Sequence, residues 1–263
     1  MKRSSGVRLC ATAAVSALSL ALITGCSDGE SKGSADTGGK EAAKPAAKTL
    51  NAAELKKLII AKGDVPGFKV QEIPGGTPAR GTVKAGDPQC TPLLDVLTGL
   101  APAKPAAETN RMAMQDKKAP TDDATSMDDM TDGKLKDAIN KSLIRDTTVV
   151  ALSSYDGDGA EQALKSVSDA VKACASGFKG SQGGTKATFT KVAEEKSSGT
   201  GDAAIAFAAT SAGDGETAVV HAEVVRHGNA LVSYTTINIG AMMAKQAYKV
   251  SPAVVSAQAA KLK

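Results

Sequence analysis

The sequence is poor in aromatic side chains: they make up 3% of its 263 residues, and tryptophan is absent. Protein surfaces that stack sugar rings or cage quaternary ammonium groups need several aromatic faces close together. With so few rings, we expect neither kind of surface.

The sequence also lacks the local motifs of common enzymes. It contains no Gly-x-Ser-x-Gly elbow, His-Glu-x-x-His pair, phosphate-binding loop or dinucleotide-binding glycine motif. Its two histidines, His221 and His227, are six residues apart, which on one strand separates them by about 20 Å, too far to share a metal. We expect both to be surface residues at strand ends, and we expect no enzyme activity, cofactor or metal site.

Excess charge of one sign is missing as well. The chain carries 32 basic and 28 acidic residues, and three of the basic ones, Lys2, Arg3 and Arg8, lie in the first 25 positions. The remainder is balanced at 29 against 28, a net charge of +1. Because nucleic-acid binding needs a basic surface, we expect no nucleic-acid partner.

The apolar stretch near the N-terminus, from Ala11 to Ile23, is shorter than the roughly 20 residues that a membrane-spanning helix needs, although such a helix is the alternative. With its basic start and the small residues before Cys26, the stretch fits a secretory signal. Residues 22–26 (LITGC) resemble the bacterial lipobox, which implies cleavage after residue 25 and a diacylglycerol or palmitate lipid on Cys26. We therefore predict a signal peptide at 1–25 and a lipid anchor on the extracytoplasmic face of the cell membrane.

Beyond Cys26, residues 27–48 are mainly glycine, serine, alanine and charged residues, without a branched apolar side chain. Such a segment cannot bury enough surface to fold. We predict that residues 26–49 form a lipidated, flexible tether that holds a folded domain, residues 50–263, on the order of 25 Å from the membrane.

Two of the four cysteines remain available for a disulfide, because Cys10 is removed with the predicted signal and Cys26 is predicted to carry the lipid. Outside the cytoplasm, Cys90 and Cys174 are expected to form a disulfide. It would close a loop of about 85 residues and stabilise the fold by roughly 4 to 5 kcal/mol. Two free thiols or a redox pair are the alternatives, and the redox pair lacks the usual Cys-x-x-Cys spacing.

Capping residues and apolar spacing predict five helices. The first begins at Asn51, which forms a capping-box pattern with Glu54, and ends at Gly63. The second begins at Thr91-Pro92 and closes at Gly99. The others carry Leu135, Ile139 and Leu143; Leu164, Val167, Val171 and Cys174; and Val255 to Leu262 after Ser251-Pro252.

Alternating or β-branched stretches predict seven strands. They lie at about 68–74, 111–115, 147–155, 186–193, 203–209, 216–226 and 230–238. The turn-rich segment 75–88 and the glycine-rich segment 177–184 are predicted to be loops, and 242–248 is unassigned. Interspersed helices and hairpin-connected strands predict an α+β fold: a single antiparallel sheet of about five to seven strands, flanked by helices, with one disulfide.

Acidic residues cluster in three places. Residues 121–133 contain five aspartates, but Met130 and Ile139 occupy positions where a calcium-binding EF-hand loop needs oxygen ligands. We expect a solvated loop that caps the following helix. Asp156 and Asp158 are similarly expected to cap a helix, and the pair Glu194 and Glu195 has nothing in its charged surroundings to raise a pKa.

Several motifs resemble those of exported actinomycete lipoproteins with a sensor-type ectodomain. They are Asp64-Val65-Pro66-Gly67-Phe68, Asp87-Pro88-Gln89-Cys90, Ser153-Ser154-Tyr155-Asp156-Gly157-Asp158-Gly159, Ala173-Cys174 before Gly177-Phe178, and Arg226-His227-Gly228-Asn229-Ala230-Leu231. Over residues 50–262 the chain is more distantly similar to the PknH-type extracellular sensor domain of mycobacterial receptor kinases. This resemblance implies a helix-flanked antiparallel sheet with a cleft. That domain has two disulfides, whereas this chain can form one, and no catalytic residue carries over.

These observations favour a sensor-like binding module of the cell envelope that captures a small ligand or an envelope protein. The first alternative is a lipid or lipoglycan carrier, in which the sheet around 203–209 and 219–225 and its helices part around acyl chains. The second is an envelope hydrolase, which would need a perturbed carboxylate or a serine–histidine pair in a pocket. The sequence names no ligand-binding residue.

Overall fold

The computed structural model describes residues 48–116, 143–213 and 216–263. These residues belong to a compact unit that spans Pro45–Lys263. The predicted signal, Cys26, nearly all of the predicted tether, the acidic segment 121–133 and the helix expected around Leu135 and Ile139 lie outside the described residues.

The described residues form a mixed structure of nine strands and five helices. The strands are β1 (Phe68–Gln71), β2 (Val83–Ala85), β3 (Ala107–Gln115), β4 (Thr147–Ser154), β5 (Phe178–Gln182), β6 (Thr185–Glu195), β7 (Ala203–Gly213), β8 (Glu216–His227) and β9 (Ala230–Ile237). The helices are α1 (Ala52–Leu58), α2 (Thr91–Leu97), α3 (Gly159–Ala173), α4 (Ile239–Met243) and α5 (Pro252–Ala260). Two short 3-10 turns, Arg80–Thr82 and Pro88–Cys90, complete them.

All nine strands belong to one sheet in the order β1-β3-β4-β9-β8-β7-β6-β5-β2, and every neighbouring pair is antiparallel. The fold is therefore α+β with one antiparallel sheet, as predicted, but the expected five to seven strands is too low a number. The two additional strands are β2 and β5, which lie in the segments predicted to be loops.

Both missed strands are short and lie in segments rich in glycine and other turn residues, so pairing with neighbouring strands decides their conformation. β2 has three residues and pairs with β5, and β5 pairs with the long strand β6. In β5, Gly180 is needed for packing, because a Cβ at that position would lie 2.9 Å from the side chain of Leu94 in α2. The glycine that suggested a loop thus lets a helix approach the strand closely.

Helices cover the two faces of the sheet in separate groups. On one side, here called the α3 face, α2 and α3 pack on buried strand residues that include Phe207, Val224 and Leu231. On the other, the α5 face, α1 and α5 pack on Leu152, Val232 and their neighbours. Since side chains alternate along a strand, β8 and β9 supply residues to both cores.

The expected disulfide is present and belongs to the apolar core of the α3 face. It joins Cys90 to Cys174 with a Cα–Cα distance of 6.0 Å across a sequence separation of 84 residues. Cys90 immediately precedes α2 and Cys174 immediately follows α3, and both are buried. The bond therefore fastens the two helices of this face to each other.

Helix starts agree with the sequence in part. Asn51 and Glu54 form the predicted capping box, although α1 ends at Leu58, before Gly63. Thr91 is the first residue of α2 and not its cap. Ser251 precedes α5 as expected, but its side chain makes no capping hydrogen bond.

Candidate ligand-binding cleft

A cleft of about 540 Å³ opens on the α5 face of the sheet. Its walls come from the end of β6 and the following loop, from the middle of β7 and β8, and from α5 and the segment that leads into it. We call it the β6–α5 cleft. Its lining residues are Glu195, Lys196, Ser197, Ser198, Thr200, Ala206, Glu223, Lys249, Val250, Pro252, Val255 and Ser256.

Strand register places three acidic or phenolic residues in one row across the sheet at this cleft. Glu223 of β8 lies opposite Tyr234 of β9 and Ala206 of β7, and Ala206 in turn lies opposite Glu195 of β6. Directly opposed residues project from the same face of a sheet. The small side chain of Ala206 therefore leaves room between two glutamates.

Glu223 is the most deeply buried charged residue of the cleft, with 3% of its surface exposed. Its Oε1 accepts two hydrogen bonds of 2.7 Å, one from the backbone N–H and one from the hydroxyl of Ser198. Both donors are neutral. The loop after β6 thus fixes the position of this carboxylate.

Glu195 contacts His221, whose Nδ1 lies 2.9 Å from Oε2 of the carboxylate, within hydrogen-bonding distance. His221 is 8% exposed, and its ring meets the ring of Tyr248 edge-on at 4.6 Å. The prediction that His221 is a surface residue at a strand end is wrong, because the segment carrying Tyr248 covers it. The hydroxyl of Tyr248 donates to the carbonyl of Val219, and burial raises the pKa of Tyr248.

Tyr234 is fully buried beside Glu223, and its hydroxyl has no hydrogen-bond partner within the described part of the chain. Burial, and secondarily the charge of Glu223, raises the pKa of Tyr234 well above its ordinary value. The phenol is therefore neutral. It packs in the same apolar cluster as Val250 and Val255, which also line the cleft.

Two other cavities have fewer polar features. A groove of about 730 Å³ runs beside α4, and its charged lining residues, Lys186 and Lys245, are both exposed. A cavity of about 400 Å³ beside α2 is lined mainly by apolar residues that include Leu97 and Phe189. Neither contains a buried charged side chain, so the β6–α5 cleft is the better candidate for specific recognition.

Comparison with known proteins gives a distant structural similarity. No family model and no curated protein matches the sequence. The fold is similar to the extracellular domain of PknH from Mycobacterium tuberculosis, with a TM-score of 0.47 and 12% sequence identity, over 82% of this chain and 95% of that chain. The similarity is too weak to transfer a residue's role.

The other residues singled out from the sequence do not form a site. Asp156 accepts a hydrogen bond from Thr49, and Asp158 accepts one from Gln162 instead of capping α3. Glu194 is exposed on the α3 face. Within the described ranges there is no group of three or more histidine, cysteine, aspartate or glutamate side chains that could hold a metal.

His227 is the last residue of β8 and is half-buried. Burial lowers its pKa, while the nearby carboxylate of Asp202 acts in the opposite direction. Its Nε2 is buried without a hydrogen-bond partner in the described part of the chain. His221 and His227 thus occupy different environments and do not act together.

Sequence reasoning missed Glu223, Tyr234 and Ser198. A signal for Glu223 exists, because it is the one acidic residue in the apolar stretch 218–225 and lies two positions from His221, on the same face. Ser198 and Tyr234 carry no such signal. Their roles depend on the path of a loop and on the cross-strand register.

No helix among the described residues is long and apolar enough to cross a membrane.

Proposed function

We propose that this protein is a lipid-anchored, sensor-like binding module on the extracytoplasmic face of the cell membrane, and that it captures a small ligand in the β6–α5 cleft. The observation that supports ligand capture is the buried carboxylate of Glu223 at the floor of the cleft. A charged group is costly to bury, and here two hydrogen bonds from Ser198 hold it in place. Such pre-positioned polar groups are typical of binding sites.

The proposed anchor is the lipid on Cys26, joined to the domain by residues 26–49. The lipobox-like sequence and the disulfide Cys90–Cys174 support it, since disulfides persist outside the cytoplasm. In an actinomycete host, the wild-type chain should incorporate a labelled palmitate analogue and sediment with membranes. The full-length Cys26→Ala variant should incorporate none, and equal labelling of both chains would refute the anchor.

The alternatives find less support in the structure. An envelope hydrolase would need a nucleophile beside a base, but the hydrogen-bonded partner of His221 is the carboxylate of Glu195. A lipid carrier would need a cavity where Ile205, Phe207 and Val224 lie, and these side chains are packed together under α3. The cleft therefore suits binding of a polar ligand better than either alternative.

Ligand capture can be tested by native mass spectrometry of residues 45–263, exported from an actinomycete host and purified without denaturation. This unit contains both apolar cores and the disulfide. We expect an adduct on the order of several hundred daltons, in keeping with the size of the cleft. The adduct should disappear on denaturation.

Two variants on α5 assign the adduct to the cleft. Ser256 is exposed and lines the cleft, so Ser256→Trp should fill it and remove the adduct. Ala253 is exposed on the same helix but is not a lining residue, so Ala253→Trp should retain the adduct. A clean apo mass for the wild type would refute small-ligand capture and point to a protein partner.

A further inference from the structure

Glu223 lacks a cationic partner of its own. Within the described residues, no lysine, arginine or histidine forms an ion pair with this carboxylate. Buried carboxylates are usually paired or neutralised, because a neutral hydrogen bond does not replace the hydration of a full charge. The floor of the cleft is thus electrostatically suited to a positively charged group.

The neutral hydroxyl of Tyr234 is a second buried polar group, on the residue that lies opposite Glu223 in the neighbouring strand. It is buried without a hydrogen-bond partner in the described part of the chain, and it lies in the field of the Glu223 charge. Unpartnered buried hydroxyls are uncommon and call for an explanation. A polar group bound beside Glu223 would lie next to Tyr234, its neighbour across the strands.

The mouth of the cleft has the opposite charge. Lys196 and Lys249 both line it and are exposed, whereas Glu223 is buried and Glu195 is partly covered. A ligand that fits this arrangement carries a positive group at its inner end and a negative group at its outer end. Its intervening carbon atoms would lie against the apolar wall of Val250, Pro252 and Val255.

We propose that the β6–α5 cleft recognises a zwitterionic ligand whose primary ammonium group binds the carboxylate of Glu223 and whose phosphate or carboxylate meets Lys196 and Lys249. An ammonium has three N–H donors. At least one of them can go to the carboxylate of Glu223, which Ser198 holds in place. This inference rests on the proposed function and names the chemistry of its ligand.

The probe is O-phosphoethanolamine, titrated into isotopically labelled residues 45–263 and followed by the amide signal of Ser198. This amide is a direct reporter because it donates to Glu223. We expect a saturable shift. O-phosphocholine has the same charges but no N–H donor, so it should bind at least tenfold more weakly, given the strength of charge-assisted hydrogen bonds.

Glu223→Gln should weaken binding of O-phosphoethanolamine at least tenfold, because the amide oxygen can still accept from Ser198 but carries no charge. Glu194→Gln removes the same charge from the exposed opposite face of β6 and should leave the affinity unchanged. Lys249→Ala should weaken O-phosphoethanolamine by about threefold, as for an exposed ion pair, but leave ethanolamine unaffected.

Equal binding of the two probes, or unchanged binding by Glu223→Gln, would overturn the inference. If Glu223→Gln does not fold, the comparison of the two probes on the wild type still tests whether the cleft recognises an ammonium group. The same chemistry could belong to a free metabolite or to a lipid headgroup. Flotation with vesicles of phosphatidylethanolamine and phosphatidylcholine separates these sources, because only a lipid ligand would retain the domain on vesicles.

The adduct and the shift at Ser198 together show whether amine recognition alone fails or whether ligand capture fails as well. A natural adduct that is lost in Ser256→Trp but contains no amine would sustain ligand capture and refute amine recognition. Absence of both the adduct and any saturable shift at Ser198 would refute both.

Discussion

The hydroxyl oxygen of Tyr234 affects the stability of the folded protein. This oxygen is buried without a partner in the described part of the chain, which costs free energy in the folded protein. Removing that oxygen removes the cost while the ring keeps its packing.

Tyr234→Phe should therefore leave the ligand-free domain as stable as the wild type, or more stable by about 1 kcal/mol. Urea denaturation of the two proteins, each stripped of ligand, measures the difference. A loss of stability greater than about 1 kcal/mol would mean that the hydroxyl is hydrogen-bonded in the native protein.

Asp95 should make the stability of the domain depend on pH with a sign opposite to that of most carboxylates. The residue is buried on α2, and its carboxylate lies 2.8 Å from Nη1 of Arg80. Burial raises the pKa of Asp95 from 3.8 to about 6, because desolvation outweighs the attraction of Arg80. Between these two values the folded protein holds a proton that the unfolded chain has released.

The contribution of Asp95 to stability is therefore greatest below about pH 4 and is lost as the pH rises through about 6. Asp95→Asn cannot titrate and should lack this component. Melting temperatures of both proteins between pH 4 and 7 give the test, as the difference between the two curves. Parallel curves across this range would show that Asp95 titrates normally.

At the scale of elements, the disulfide fastens α2 to α3. Reducing it, or replacing both cysteines as in Cys90→Ala with Cys174→Ala, should destabilise the domain by roughly 4 to 5 kcal/mol on the chain-entropy account. Denaturant titration measures the loss. Because both sulfurs are buried, small thiols should reduce the bond slowly under native conditions, and rapid native-state reduction would contradict the described packing.

The capping box gives a second prediction at this scale. Asn51→Ala removes hydrogen bonds to the N–H groups of Ala53 and Glu54 and should cost about 1 kcal/mol. Ser251→Ala is the matched control, because Ser251 precedes α5 without a capping bond. Thermal unfolding of both variants measures the loss of stability in each. Equal losses would show that the capping hydrogen bonds of Asn51 contribute nothing specific to stability.

Elements were predictable from the sequence where the local pattern is long. The β7–β9 meander and α3 follow from sustained periodicity. By contrast, β2 and β5 are fixed by pairing and by the approach of Leu94 to Gly180, which local composition does not encode. The five-residue α4 is too short to show a periodic pattern.

The candidate site was less predictable than the fold, for a physical reason. The burial of His221 and Glu223 depends on the loop after β6 and on the segment around Tyr248, both of which are distant in sequence. Alternation along β8 places the two polar residues on one face, but it does not reveal that other segments cover them. Sequence alone therefore placed His221 on the surface.

In the whole molecule, the proposed anchor at Cys26 precedes a domain that has two apolar cores and a charged cleft. The described chain enters this domain beside the end of β4, where the backbone N–H of Leu50 donates to Ser154. The cleft is built from β6, β7, β8, α5 and the segment leading into α5, and none of its lining residues takes part in that entry. We therefore expect that the proposed anchor and the proposed ligand site can be altered separately.

The most direct test of ligand capture is a crystal structure of residues 45–263, exported from an actinomycete host and purified under native conditions. We predict electron density for a bound molecule in the β6–α5 cleft, in contact with the carboxylate of Glu223. A bound molecule in the groove beside α4 or in the cavity beside α2, with none at Glu223, would contradict it.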